Sequence, residues 1–168
     1  EIMNGRPPKN PGAVFNGPGG TGKTILLKAI AKIIENCGGT SLECNVAQLT
    51  GENVGSLAKA LDSLFQKAVA EARKTGKPVY IYFDEADSVI TKASLQGSVA
   101  GYFQDALNVM KKYIGNYPEI IVAISCNIED ESRFDAPVIR DGRLKTIFVG
   151  YPGYAERTQM WRHFLKEH

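Results

Sequence analysis

Residues 17–24 read Gly-Pro-Gly-Gly-Thr-Gly-Lys-Thr, and no other stretch limits the possible folds of this chain as strongly. The octapeptide fits the G-x-x-x-x-G-K-[ST] pattern of a phosphate-binding loop. Glycine has no Cβ, so the backbone can wrap closely around an anion and turn its N–H groups inward. On this reading Gly17, Pro18, Gly19, Gly20, Thr21 and Gly22 cradle phosphate. Lys23 brings a cation to the β- and γ-phosphates, and the Thr24 hydroxyl is a Mg²⁺ ligand. The flanks agree. Ala13-Val14-Phe15 is a short apolar strand, and Ile25–Ala31 is an apolar-rich helical segment, which sets the phosphates at a helix N-terminus. The competing reading is a Gly-rich surface turn, which explains neither the flanking strand and helix nor the Lys-Thr pair.

Strands and helices alternate from there on. Strand candidates are Ala13–Asn16, Thr40–Val46, Val79–Phe83, Ile120–Ser125 and Lys145–Val149. Helix candidates are Lys23–Asn36, Gly55–Thr75, Ser98–Ile114 and Tyr154–Lys166. Within the second helix Leu57, Leu61, Leu64, Phe65 and Val69 recur at helical spacing and read as a core-facing stripe. The βαβα order predicts a parallel sheet covered by helices on both faces, with ligands bound outside the carboxyl ends of the strands. Residues before the first strand, with Pro7, Pro8, Pro11 and Gly12, read as an irregular lead-in.

Two acids stand where that topology needs them. The apolar run Val79-Tyr80-Ile81-Tyr82-Phe83 leads directly into Asp84-Glu85. Asp84 is then placed to hold a magnesium shell and Glu85 to polarise an attacking water as general base. Alternatively both acids cap a strand-to-helix turn. For Asp87 a local turn or capping role is preferred. A second apolar strand, Ile120–Ser125, ends at Cys126-Asn127. If it lies between the loop strand and the acid strand, Asn127 points at the γ-phosphate or the water; an Asn in an ordinary turn is the alternative. Further on, Arg140 and Arg143 flank Asp141-Gly142. They form either a solvated basic turn or the positive charge that phosphoryl transfer requires.

Length and composition fit one domain: 168 residues can bury a sizeable core. A net charge of +2 gives no argument for nucleic acid by itself. Cys37, Cys44 and Cys126 match no zinc spacing and read as reduced thiols of a cytosol-like compartment. His163 and His168 read as surface residues. No apolar run approaches membrane-spanning length. The chain begins at Glu1 without an initiator Met and reads as a piece of a longer protein, so the lack of a leader sequence says little.

Taken together, Gly-Pro-Gly-Gly-Thr-Gly-Lys-Thr, Phe83-Asp84-Glu85-Ala86-Asp87, Asn127 and Arg140-Asp141-Gly142-Arg143 in this order resemble the AAA+ ATPases over residues 5–168. The resemblance implies a three-layer α/β/α P-loop fold with a five-stranded parallel sheet in order 5-1-4-3-2. It implies the Walker A role for Gly17–Thr24, the Walker B role for Asp84 and Glu85, and the sensor 1 role for Asn127. It also implies that Arg140 and Arg143 reach the ATP of a neighbouring subunit, in a ring that is usually a hexamer. ATP and Mg²⁺ are the implied cofactors, and a protein the implied substrate. The whole chain, 1–168, would be the large nucleotide-binding subdomain, with the family's C-terminal helical lid absent.

Departures from the family pattern refine this. Gly19 replaces the second proline of the usual loop, a harmless change. In Leu49–Lys59 the position that carries an aromatic in many ring unfoldases is Asn53, which argues against threading by an aromatic paddle. The stretches Asn53-Val54-Gly55…Ala58-Lys59 and Ala136–Arg143 resemble Rubisco activase, whereas Phe83–Asp87 follows the general AAA+ pattern. The expectation is therefore an activase-related ATP-driven remodelling motor, in the cytoplasm or, for a photosynthetic eukaryote, the plastid stroma. A nucleotide-gated assembly module with little turnover and a DNA-associated AAA+ ATPase are the alternatives. Near-neutral charge weighs against the latter.

Overall fold

The computed structural model describes residues 11–46, 56–91, 100–140 and 142–165. The lead-in through residue 10, Asn53 with the 49–55 stretch, Asp141, Lys166, His168 and the expected helix starts at Gly55 and Ser98 lie outside the described residues.

Five strands carry the fold: β1 (Gly12–Asn16), β2 (Thr40–Asn45), β3 (Val79–Asp84), β4 (Ile120–Cys126) and β5 (Leu144–Phe148). They alternate with α1 (Lys23–Asn36), α2 (Ser56–Thr75), the single turn α3 (Asp87–Ile90), α4 (Ala100–Tyr113) and α5 (Tyr154–Phe164). A short 3₁₀ turn at Glu131–Arg133 follows β4. Bounds expected from sequence agree to within a residue or two wherever they fall on described residues. The short α3 and the 3₁₀ turn were not anticipated, because neither is long enough to carry a periodic pattern.

The strands pair in the order β2-β3-β4-β1-β5, the expected 5-1-4-3-2 read from the other edge, and every pairing is parallel. Register aligns their ends: Asn16 stands opposite Cys126 and Phe148, Phe83 opposite Ile124, and Asn45 opposite Asp84. All five carboxyl ends thus meet on one edge of the sheet, β4 between the strand that feeds the loop and the strand that carries the acids.

Burial on both faces explains why β3 reads as an unbroken apolar run. Val79, Ile81 and Phe83 enter a cluster with Leu57, Leu61, Phe65 and Val69 of α2 and Leu107 and Met110 of α4. Tyr80 and Tyr82 turn the other way, joining Phe15, Ala123, Leu27 and Ala31 beneath α1. The α2 stripe is thus core, with Leu64 only partly buried at its margin. Phe65 stacks on Tyr113 of α4 with ring centroids 4.8 Å apart. By contrast, α1 buries only a narrow strip: Ile25 and Ile33 are exposed. The edge strand β5 leaves Ile147 and Phe148 open, and α5 exposes Trp161 and Phe164.

Candidate nucleotide site

The cleft lies at the carboxyl edge, where β1 stops and α1 begins. After Asn16 the chain passes through three glycines with positive φ, Gly17, Gly20 and Gly22, and enters α1 at Lys23. No side chain caps that helix, so its first N–H groups are open to an anion. Thr21 Oγ1 donates to the Pro18 carbonyl at 3.0 Å and tightens the loop. The buried Lys23 Nζ donates to the carbonyls of Gly17 at 2.9 Å and Pro18 at 2.7 Å. Its ammonium is thereby held at the loop instead of extending into water.

Opposite the loop stands the exit of β3. Thr24 Oγ1 donates to Asp84 Oδ1 at 3.1 Å, joining the first turn of α1 to the acid strand. Ser125 of β4 donates its hydroxyl to the same oxygen and accepts the Glu85 N–H at 2.9 Å. Glu85 is the one described non-glycine residue with positive φ, at 52°, and its side chain is exposed. Its neighbour Ala86 donates to the Ser125 carbonyl at 3.0 Å. Asp87 does not cap α3, whose N-cap is Ala86; its Oδ1 accepts the Asn127 N–H at 2.8 Å and ties the exits of β3 and β4 together.

Gly19, Gly20, Gly22, Lys23 and Thr24 form one wall of the cleft, and Asp84, Glu85, Ser125 and Asn127 the other. Its volume of about 330 Å³ is in the range of a small-molecule site. Gly17, Pro18 and Thr21 shape the loop from behind. Thr24 and Asp84 supply hard oxygen donors 3.1 Å apart, a set that suits Mg²⁺, which commonly takes one or two protein oxygens beside phosphates and water. Behind the site the buried Cys126 thiol is pushed up to about 11 by desolvation, so it stays protonated at neutral pH.

Arg140 and Arg143 lie elsewhere. They precede Leu144, which stands opposite Gly12 at the start of β1, so both sit at the amino edge of the sheet. The length of β5, five residues at about 3.3 Å each, separates that edge from the cleft. Arg143 Nη1 donates to the Pro137 carbonyl at 2.6 Å, and burial, with Arg140 beside it, lowers its pKa from the usual arginine value. Arg140 is exposed. Neither can serve the cleft of its own chain.

Ser125 was not singled out from the sequence. The available signal was a hydroxyl at the end of an otherwise apolar strand, two residues before the suspected Asn.

A parallel sheet with a glycine loop, a lysine, a hydroxyl and strand-terminal acids gathered at its carboxyl edge defines a P-loop nucleotide-binding domain. Residues 13–151 match the family described as ATPase family associated with various cellular activities (AAA), and the chain belongs to that family. It is an AAA ATPase domain with a nucleotide site. Among similar proteins is an "AAA ATPase forming ring-shaped complexes" of Bifidobacterium adolescentis, 28% identical over 96% of this chain and 32% of its own length. A proteasome-associated ATPase of Thermomonospora curvata is 32% identical over 83% of this chain and 25% of its own length. The chain thus spans a third or less of these relatives. In fold it resembles a chain of the Escherichia coli MS115-1 HORMA:CdnC:Trip13 complex, with a TM-score of 0.74 at 18% identity, over 92% of this chain and 53% of that one.

Proposed function

We propose that this chain is the large nucleotide-binding subdomain of a ring-forming motor that hydrolyses ATP with Mg²⁺ and uses the energy to remodel a protein. The observation that carries this reading is the division of labour across the sheet. Lys23, Thr24, Asp84, Glu85 and Asn127 converge on one cleft, while Arg140 and Arg143 stand at the opposite edge. A site with no arginine among its described lining residues, on a chain that exposes one at the opposite edge, suits two copies that complete each other.

In this reading Gly17–Thr24 bind the phosphates through backbone N–H groups, and Lys23 leaves the Gly17 and Pro18 carbonyls for phosphate oxygens. Thr24 and Asp84 hold the metal. Bound there, Mg²⁺ would neutralise charge on the β- and γ-phosphate oxygens. Glu85 orients and polarises the attacking water, and the Asn127 amide fixes the γ-phosphate and water relative to it. Arg140 of a neighbour, with Arg143 beside it, meets the charge that spreads over the transferred phosphoryl group.

Relatives named for ring-shaped complexes and proteasome association support the ring and the protein substrate. The Ala136–Arg143 stretch supports an activase-like branch. Steady-state ATPase rate per subunit, measured against subunit concentration, tests the proposal. The rate should climb as copies assemble. Arg140→Ala and Lys23→Ala should each be inactive alone and regain turnover when mixed. A concentration-independent rate, or no regain on mixing, would refute the shared site.

A further inference from the structure

Ser125 makes three contacts with three consecutive residues of the acid turn. Its hydroxyl proton goes to Asp84 Oδ1, its hydroxyl oxygen takes the Glu85 N–H, and its carbonyl takes the Ala86 N–H. Glu85 is also the residue held in the left-handed region, at φ 52°. A side chain larger than glycine adopts that conformation at a cost, and it persists where surrounding contacts enforce it. The N–H of a left-handed residue leaves the strand ladder, and here Ser125 Oγ is its acceptor. Ser125 is itself 2% exposed, on the strand face it shares with Ala123 beneath α1. A hydroxyl at such a place is satisfied because it donates once and accepts once within the site.

We propose that Ser125 is a positioning residue for hydrolysis: it holds Glu85 in the strained backbone conformation that presents the carboxylate to the cleft, and it fixes Asp84 at the same time. This rests on the assignment of Glu85 as the water-activating base. In this proposal Ser125, although it lines the cleft, acts through the two acids to which it is hydrogen-bonded. Removing its hydroxyl frees the Glu85 N–H and lets the turn relax toward negative φ, swinging the carboxylate away. Nucleotide binding, which depends on the loop and Lys23, should survive.

The test has two independent readouts on the same chain. In steady-state Mg-ATP turnover, Ser125→Ala should lower kcat roughly 10–100-fold, as expected for a misplaced catalytic group, and leave KM within about threefold of the parent. Ser125→Thr should restore most of the rate. In a Glu85→Gln background, Ser125→Ala should cost much less than it does in the parent, leaving only what its hydrogen bond to Asp84 contributes. The second readout is amide exchange by NMR without nucleotide. Ser125→Ala should speed exchange at Glu85 at least tenfold and leave Ala86, whose acceptor is a main-chain carbonyl, protected. Equal acceleration at both amides, with kcat and KM worsening together, would mean a merely structural role. Unchanged Glu85 exchange with parental kcat would overturn the proposal outright. Full turnover by Glu85→Gln would sink the assignment of the base, while the exchange measurement would still decide whether Ser125 holds the turn.

Discussion

Glycines of the phosphate loop look alike in sequence, yet the structure ranks them. A Cβ added at Gly17 would sit 2.3 Å from the Val149 carbonyl oxygen and 3.0 Å from its carbon, and Gly17 has φ +142°. Val149 cannot retreat easily, because its N–H donates to the Asn16 carbonyl at 2.7 Å and latches the end of β5 to the end of β1. Gly22 also has positive φ, +89°, but opens into free space, and Gly19 has neither constraint. Gly17→Ala therefore combines backbone strain of about 1–3 kcal/mol with overpacking of about 1–3 kcal/mol. Gly22→Ala carries only the strain, and Gly19→Ala should fall within about 0.5 kcal/mol of the parent.

Thermal and urea unfolding of the three variants measures this ranking. For a domain of this size each kcal/mol moves the midpoint by about 2–4 °C. Gly17→Ala should thus melt roughly 4–24 °C below the parent, Gly22→Ala roughly 2–12 °C below, and Gly19→Ala indistinguishably from it. The urea slope should not change, since the same surface is exposed on unfolding. Equal midpoints for Gly17→Ala and Gly19→Ala would refute the reasoning, because they differ only in the contact with Val149 and the sign of φ. The same logic explains why Gly19 can stand where the family usually has proline.

Other expectations follow from single contacts. Glu85→Gln should keep its affinity for ATP and lose turnover by roughly 10²–10⁴-fold, read by equilibrium binding and phosphate release; parental turnover would contradict its role as base. Among the three thiols Cys37 is exposed, while burial pushes Cys44 up to about 12 and Cys126 up to about 11. A thiol reagent at pH 8 should therefore modify one cysteine rapidly and the other two only at the rate of unfolding. Hydrogen bonds from Lys112 and Tyr113 to Asp62 hold that carboxyl below its ordinary pKa. Its stabilising contribution is complete above the unfolded carboxylate pKa and fades as pH falls through the lower folded value. Asp62→Asn should accordingly flatten the acid limb of a stability–pH curve by a small amount, as befits a surface site; an unchanged limb would dismiss the contribution.

The legibility of the fold and of the site had different physical sources. Strand and helix order was readable because it is local: β3 is apolar throughout since both its faces are covered, and α2 repeats its core residues at the helical period. Once the strands are known to be parallel, their carboxyl ends must share an edge, so Lys23, Thr24, Asp84, Glu85 and Asn127 could be expected to meet without any coordinates. What stayed hidden depends on register and on backbone conformation. Ser125 touches Asp84 because Ile124 pairs with Phe83, a match that no spacing along the chain encodes. For Asp87 the sequence suggests a local turn or capping role; it caps no helix, and the turn instead places its carboxylate within reach of the Asn127 N–H, a cross-strand tie. The positive φ of Glu85 carries no sequence mark, since glutamate is not a residue that favours it. Arg140 and Arg143 looked equivalent on either side of Asp141-Gly142. The structure separates them: the Pro137 carbonyl anchors Arg143, and Arg140 is left exposed at the amino edge. That difference gives the two arginines separate physical tasks. Replacing Arg143 disturbs the segment that leads into β5, whereas replacing Arg140 removes an exposed charge and leaves the local hydrogen bonds in place. Of the two, Arg140 is the substitution that can test a contact between subunits without also testing the fold.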